Sequence, residues 1–414
     1  MRSLQGVSGA PVNGISRSPT CIRAFLVSLG KFFFQQIAKS ERGVKMKIKA
    51  AVVRERSGPF KIEEIELDEP RDDEVLVRIV GSGICGTDLG ARDGHLPIPP
   101  PPSVFGHEGA GVVERVGKRV RKVKPGDHVV LAWSSCGACI PCRSGNDAYC
   151  ANFFPLNFGG ARPDGTTTLR KGDQVIHGSF FGQSSFANFA LANEGNVVKV
   201  REDVPLEILG PMGCGIRTGA GAVMISLHPK AGTSIAVFGV GPVGMSAILA
   251  ALVCGCTTII AVDINSDRLE MAKKFGATHT INSGKVDPVA AIQDITGEGA
   301  DFTLECVGNP KVLRQAVDSL LRGGPRCGVC GLLGVVAPGT EVALDMDKIM
   351  NGRTVKGIIA GDSVPDLFIP ILIELYRQGR FPFDRFITFY PFDEINKAVE
   401  DMEKGKVVKP VLRH

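Results

Sequence analysis

Ser234-Ile235-Ala236-Val237-Phe238-Gly239-Val240-Gly241-Pro242-Val243-Gly244 decides the fold. Five strand-forming residues run directly into a G-x-G-x-x-G turn, and the apolar stretch Met245 to Leu252 has the length and character of a buried helix. Glycine spacing alone is weak evidence. Flanked by a strand and a helix, it marks a dinucleotide-binding βαβ unit. Gly239 permits the tight turn, Gly241 lets the backbone approach a pyrophosphate, and Gly244 lets the helix pack on its strand, with Val243 on the same turn. The helix N-terminus offers unpaired N–H groups and partial positive charge to the phosphates. The next strand, Thr258-Ile259-Ile260-Ala261-Val262, ends in Asp263, nineteen residues after Gly244. A carboxylate there accepts hydrogen bonds from the adenosine ribose and repels a 2′-phosphate, so the sequence predicts NAD over NADP. Arg268 tempers that exclusion but equally suits the ribose.

From about 216 to 355, strand-length runs (Ser234 to Phe238, Thr258 to Val262, Phe302 to Val307) alternate with helical stretches. That alternation predicts an α/β Rossmann domain with a doubly wound parallel sheet. Residues 46–135 are β-rich, with short Val/Ile runs separated by Gly, Pro and Asp, and Pro99 to Pro102 form a rigid loop. Residues 136–165 form a Cys/Gly/Pro/Asn-rich lobe. After about 356 the chain returns to mixed elements and ends in the strand-like Lys406 to Leu412. The expected organisation is a β-rich catalytic domain over 46–215, an inserted cofactor domain over 216–358, and a C-terminal return to the catalytic domain over 359–414.

The chain has 414 residues, 44% hydrophobic, enough for two full cores. Residues 1–45 carry seven Lys or Arg and one acid, a charge of +6, so the remainder sums to −1 against the total of +5. That nearly neutral body shows no nucleic-acid footprint. No stretch approaches about 18 uninterrupted apolar residues, so no membrane span is expected. The 1–45 segment fits a mitochondrial transit peptide, or else a start mis-assigned ahead of Met46. The location expected is cytoplasmic, or mitochondrial if that extension is real.

The twelve cysteines have no secretory signal to explain them. Cys136, Cys139, Cys142 and Cys150 give C-x2-C-x2-C-x7-C on a Gly/Pro-rich loop, a set that can close a tetrahedral, structural zinc shell. Iron–sulfur clusters also take four cysteines, but the short cluster and a separate second site favour zinc. That second set is dispersed: Cys85 in Gly83-Ile84-Cys85-Gly86-Thr87-Asp88, His107 beside Glu108, and Cys214 in Gly213-Cys214-Gly215. Two Cys and one His hold catalytic zinc and leave one position open. Singly, each would be a buried small residue or a structural histidine; together they point to a metal. Cys254, Cys256, Cys306, Cys327 and Cys330 lie in or beside apolar runs and belong to the core.

Gly106-His107-Glu108-Gly109-Ala110-Gly111, then Gly117 and Val120, satisfies GHE-x2-G-x5-G-x2-V. In this, and in the order of the two cysteine sets and the glycine turn across residues 46–414, the chain resembles the zinc-containing alcohol dehydrogenases of the medium-chain dehydrogenase/reductase family. Phe180 to Phe186 and Gly361 to Pro365 resemble the benzyl- or aryl-alcohol branch. The resemblance implies a GroES-like catalytic domain, two Zn²⁺ per chain, NAD, a small alcohol or aldehyde substrate and a homo-oligomer, dimer or tetramer. It places Cys85, His107 and Cys214 on catalytic zinc, with Glu108 behind the metal, Asp88 orienting His107 and Thr87 taking the alcohol proton. It sets Thr218 near the nicotinamide, Asp263, Asn265 and Arg268 around the adenosine ribose, and Lys409 at the pyrophosphate. Two positions depart from the family: Gly90 stands where a relay histidine is usual, and Gly86 where a basic phosphate contact is often found. The activity implied is reversible hydride transfer from a primary, aromatic or allylic alcohol to NAD. Secondary alcohols, polyols or a formaldehyde adduct are the alternatives. A non-catalytic relative would be expected to lose catalytic ligands, and all three are present. Phe153, Phe154, Phe180, Phe181 and Phe186 are candidates for an aromatic pocket or for plain core.

Overall fold

A computed structural model describes residues 45–323 and 328–414. The expectations for residues 1–44, and for Cys327, fall outside the described residues. Two antiparallel-rich sheets form the first domain. Strands β1 (Met46–Val53), β2 (Phe60–Leu67), β3 (Glu74–Gly83), β4 (Ser103–Val104), β5 (Gly109–Val116), β6 (His128–Leu131), β7 (Leu169–Lys171), β8 (Gln174–Ile176), β9 (Phe189–Asn193) and β10 (Val197–Lys199) supply most of them. One sheet has the order β4-β1-β2-β7-β8. The other contains β10-β6-β5-β3, with β9 also on β3. β3 is buried along nearly its whole length, which its Val/Leu/Ile content requires of a strand covered on both faces. Its pairing with β5 sets Ser82 against Gly109. This brings the segments carrying Cys85 and His107, twenty-two residues apart in sequence, to one sheet end.

The second domain is a six-stranded parallel sheet of β11 (Ser234–Phe238), β12 (Thr258–Asp263), β13 (His279–Asn282), β14 (Phe302–Glu305), β15 (Val329–Leu332) and β16 (Thr354–Gly357). The order is β13-β12-β11-β14-β15-β16, so the chain reverses direction across the sheet between β11 and β14. In doubly wound sheets a ligand crevice opens outside the carboxyl ends of the strands at such a point. β14 stops two residues short of the expected Val307 because Glu305 turns the chain: its Oε1 accepts from Val307 N at 2.9 Å and Gly308 N at 2.8 Å. The Pro242–Cys254 helix is buried from Gly244 to Ala251, as an all-round apolar helix must be.

The C-terminal segment packs on both domains before it rejoins the first. The Pro365–Arg377 helix buries Phe368, Ile369, Leu372 and Ile373 in the core that also holds Val237 and Ala261. Phe386 meets Phe275 edge-on, with ring centroids 5.5 Å apart. The chain rejoins the first-domain sheet only at β17 (Ile387–Pro391) and β18 (Lys409–Arg413), where β18 pairs with β3. The core that holds the Pro365–Arg377 helix also takes in Val130 and Val198 of the first domain, and Lys122 pairs with Asp366 at 2.7 Å, so this helix packs against both domains. Cys256 and Cys330 are buried, and Cys254 and Cys306 half-buried.

Candidate metal centres and cofactor crevice

Ligand atoms of Cys85, His107, Glu108 and Cys214 all lie within 4.8 Å of one another. Cys85 caps the Gly86–Arg92 helix, and its N–H donates to Asp88 Oδ2 at 2.9 Å. Asp88 Oδ1 meets His107 Nδ1 at 2.9 Å and accepts from Gly106 N at 3.1 Å. One fully buried carboxylate thus fixes two of the candidate ligands, as outer partners of metal-bound histidines do. His107 Nε2 is buried with no hydrogen-bond partner among the described residues. An orphaned imidazole nitrogen facing two thiols is costly alone and fits a metal ligand. Cys214 follows the Gly210–Gly213 turn, and a Cβ on Gly210 would run into Glu108 O; only glycine lets this turn approach the ligand loop.

A hydrogen bond from Cys214, and then His107, hold the Cys85 thiol well below its ordinary range, while Cys85 and burial push Cys214 well above it. Burial opposes charge on His107, but Asp88 and Cys85 together raise the imidazole well above its ordinary range. Burial pushes Glu108 up to about 7 against the pull of Lys409. Thr87 is half-buried on the first helical turn, its Oγ1 3.7 Å from Cys85 Sγ.

Lys409 closes the back of this site. The resemblance sends it to the pyrophosphate. In the structure it is 1% exposed, with Nζ 2.6 Å from Glu108 Oε2 and donating to Glu108 Oε1 at 2.8 Å and Ile84 O at 2.9 Å. A buried ammonium needs a counter-charge, and Glu108 is that partner.

Cys136, Cys139, Cys142 and Cys150 form the second cluster, again within 4.8 Å. Cys139 Sγ lies 3.4 Å from Cys142 Sγ and 4.0 Å from Cys150 Sγ. Four sulfurs bound to one tetrahedral zinc would stand about 3.8 Å apart. Backbone N–H groups of Ala138 and Cys139 draw Cys136 down to about 6, and burial pushes Cys142 up to about 12. Backbone N–H groups, that of Cys142 first, also lower Cys139, while burial raises Cys150; a bound cation would favour thiolate at all four.

At the glycine turn, Gly239 has φ +87°. A Cβ on Gly244 would strike Gly239 O, whereas one on Gly241 would meet nothing within 4 Å. Gly241 therefore faces open space that a side chain would fill, which fits a pyrophosphate cradle. Asp263 closes β12, accepting from Val240 N at 2.8 Å and Asn265 N at 2.9 Å. Asn265 Oδ1 caps the next helix through Asp267 N and Arg268 N, and buried Arg268 Nε has no hydrogen-bond partner among the described residues. Val243 O borders the Gly215–Gly221 helix, which carries half-buried Thr218, whose hydroxyl donates to Cys214 O at 3.0 Å.

Residues 71–202 match the alcohol dehydrogenase GroES-like domain, and residues 242–376 the zinc-binding dehydrogenase domain. Geraniol dehydrogenase of Castellaniella defragrans is 46% identical over 88% of this chain and 96% of its own. The chain belongs to the zinc-binding alcohol dehydrogenase family. It is an oxidoreductase that depends on zinc and a nicotinamide cofactor. Among solved structures, an alcohol dehydrogenase zinc-binding domain protein from Burkholderia ambifaria superposes with a TM-score of 0.87 at 51% identity, covering 89% of this chain and 99% of the other. Benzyl alcohol dehydrogenase from Acinetobacter calcoaceticus gives 0.85 at 46% identity, with the same coverage.

Four residues of this dehydrogenase's sites escaped the sequence reading. Phe158 joins the aromatic cluster around His107, and the run Phe153-Phe154-x3-Phe158 was its signal. Arg217, Trp133 and Tyr149 also pack around the two centres. An arginine within a helical stretch gives no sign that it will be buried, and Arg217 is fully buried.

Proposed function

We propose that this dehydrogenase oxidises primary aromatic and allylic alcohols to aldehydes, reversibly, with NAD as hydride acceptor. One observation carries the substrate class. Phe181 stacks on the His107 imidazole at 4.6 Å, and Phe180 meets the same ring edge-on at 5.7 Å. Phe153 and Phe158 pack behind Phe181 at 6.1 and 5.1 Å, and Phe154 stands exposed at the rim. Phe186 instead packs on Phe60 in the core. Each aromatic contact to an unsaturated substrate is worth about 0.5–1.5 kcal/mol beyond its burial. The backbone supports the same reading: Phe181 has φ +51°, between Ser179 at +54° and Ser184 at +56°, and such strain persists where function needs a side chain in one place. The named relatives act on geraniol and benzyl alcohol.

Cys85, His107 and Cys214 would hold the catalytic ion, with Glu108 behind it, and the four-cysteine lobe would hold the second. Bound zinc supplies Lewis-acid polarisation of the substrate oxygen, and the nicotinamide supplies hydride exchange. Asp88 keeps His107 in one tautomer with Nε2 free. Thr87 Oγ1 takes the hydroxyl proton of the substrate. Asp263 selects the ribose lacking a 2′-phosphate. Gly90 offers no relay side chain, so beyond Thr87 the proton would have to pass to water, or to a ribose hydroxyl if the bound dinucleotide supplies one. The exposed edge strand β16 supports a homo-oligomer. Among the described residues no helix is long and apolar enough to cross a membrane, and the six thiols of the two centres favour the reducing cytoplasm.

Following NADH absorbance with benzyl alcohol, cinnamyl alcohol, ethanol and a secondary alcohol, and repeating with NADP, tests this reading. Benzyl and cinnamyl alcohol should exceed ethanol in kcat/KM by at least about 30-fold, two to three aromatic contacts' worth. Equal rates with ethanol, or equal kcat/KM for NAD and NADP, would refute it.

A further inference from the structure

The four-cysteine lobe is tied to the cofactor domain by side chains that neither metal centre uses. Tyr149, next to Cys150, donates its hydroxyl to Asp362 Oδ1 at 2.7 Å, and the tyrosine oxygen accepts from Ile359 N at 3.3 Å. Asp362 Oδ2 accepts from Ser226 Oγ at 2.7 Å and lies 3.2 Å from Lys356 Nζ. The turn carrying this carboxylate is strained. Ala360, Gly361 and Asp362 have φ of +52°, +72° and +50°, and two of the three bear side chains. Such a conformation persists only where surrounding contacts over-determine it.

That turn backs the Gly215–Gly221 helix: a Cβ on Gly361 would meet Arg217 O and Thr218 O at 2.8 Å. The helix begins at Cys214 and crosses the Pro242–Cys254 helix so closely that a Cβ on Gly219 would run into Val243 O. One short helix therefore touches a candidate metal ligand, the glycine turn and the strained turn. A second strut runs parallel. Arg217 has no carboxylate within ion-pair distance among the described residues; it donates to Gly213 O at 2.8 Å, Met212 O at 3.3 Å and Ser363 O at 3.4 Å. Its guanidinium lies 3.8 Å from the centroid of the Trp133 ring, three residues before Cys136.

We propose that Tyr149 is a positioning residue for cofactor binding: through Asp362 it holds the Ala360–Asp362 turn left-handed against the Gly215–Gly221 helix. The four-cysteine lobe thereby shapes the nicotinamide-side wall as well as stabilising itself. This rests on the reading that the Gly239–Gly244 crevice binds NAD. Without the hydroxyl, Asp362 keeps Ser226 and Lys356 but loses its tether to the lobe. The turn then relaxes, and the wall must be reordered each time the dinucleotide binds. The cost falls on binding rather than on hydride transfer.

The test uses the full-length zinc-loaded enzyme, with Tyr149→Phe, Asp362→Ala and the double variant. NADH affinity is read by quenching of Trp133, the sole tryptophan, alongside KM for NAD, kcat with benzyl alcohol and zinc content. Tyr149→Phe should raise the NADH Kd and the KM for NAD about 5- to 10-fold, with kcat within twofold and two zinc retained. The double variant should bind no more weakly than Asp362→Ala alone, the mark of one shared interaction. A change in Kd below threefold for Tyr149→Phe, or additive losses in the double variant, would overturn the proposal. Failure of the unmodified enzyme to bind NADH would overturn the cofactor reading and this inference with it.

Discussion

Replacing Asp88 by asparagine keeps the side-chain shape and removes its charge. The carboxylate is fully buried and serves three groups: His107 Nδ1 at 2.9 Å and Gly106 N at 3.1 Å on Oδ1, and Cys85 N at 2.9 Å on Oδ2. An amide can present oxygen to one side only. If that side is His107 and Gly106, the Cys85 N–H faces an NH2 donor and loses its acceptor. A buried donor left unpaired costs about 1–3 kcal/mol. The His107 bond loses its charge assistance, about a further 1 kcal/mol. The sum, roughly 2–4 kcal/mol, divides between folding and metal affinity, because the disturbed groups belong to two candidate ligands. Metal affinity should fall about 10- to 100-fold, the range for outer partners of ligating histidines. Competition with a zinc chelator measures the affinity, and kcat/KM should fall in parallel while NADH Kd stays within twofold. Zinc affinity and kcat/KM both within threefold of the unmodified enzyme would refute the role given to Asp88.

Three further outcomes follow from the geometry. Gly219→Ala puts a methyl against Val243 O. It should cost about 1–3 kcal/mol in urea unfolding, the range for overpacking, and weaken NADH binding. Phe181→Ala should lower the ratio of kcat/KM for benzyl alcohol to that for ethanol about 10-fold, through the lost ring beside His107; an unchanged ratio would remove Phe181 from the substrate wall. Hydrogen bonds from Arg54, and then Lys171, hold Glu63 down to about 2 from 4.5. A depressed carboxylate stabilises fully above its unfolded value and loses that contribution as pH falls through its folded one. Acid unfolding between about pH 4.5 and 2 should therefore be shallower in Glu63→Gln.

The cofactor fold was legible because its information is local. Gly239, Gly241 and Gly244 act within six residues of one another, and the strand and helix that give the motif meaning adjoin it. The ligand types were legible for the same reason, but their convergence was not a local matter. It depends on the register that sets Ser82 against Gly109 and on the close approach of Gly210 to Glu108. Lys409 shows the limit. Its neighbours are fixed by β18 pairing with β3, Val411 against Gly83, across more than three hundred residues of chain. No nearby residue signals that its ammonium will meet Glu108. Tyr149 and Arg217 were silent for a related reason, since their partners, Asp362 and Ser363, come from the far side of the cofactor domain.

The most direct test is to count zinc in the purified enzyme and in Cys214→Ser and Cys150→Ser variants. Two equivalents are expected in the unmodified protein. Cys214→Ser should keep one equivalent, bind NADH normally and lose turnover. Cys150→Ser should lose the other equivalent together with stability. Two equivalents retained by Cys214→Ser with turnover intact would contradict the account.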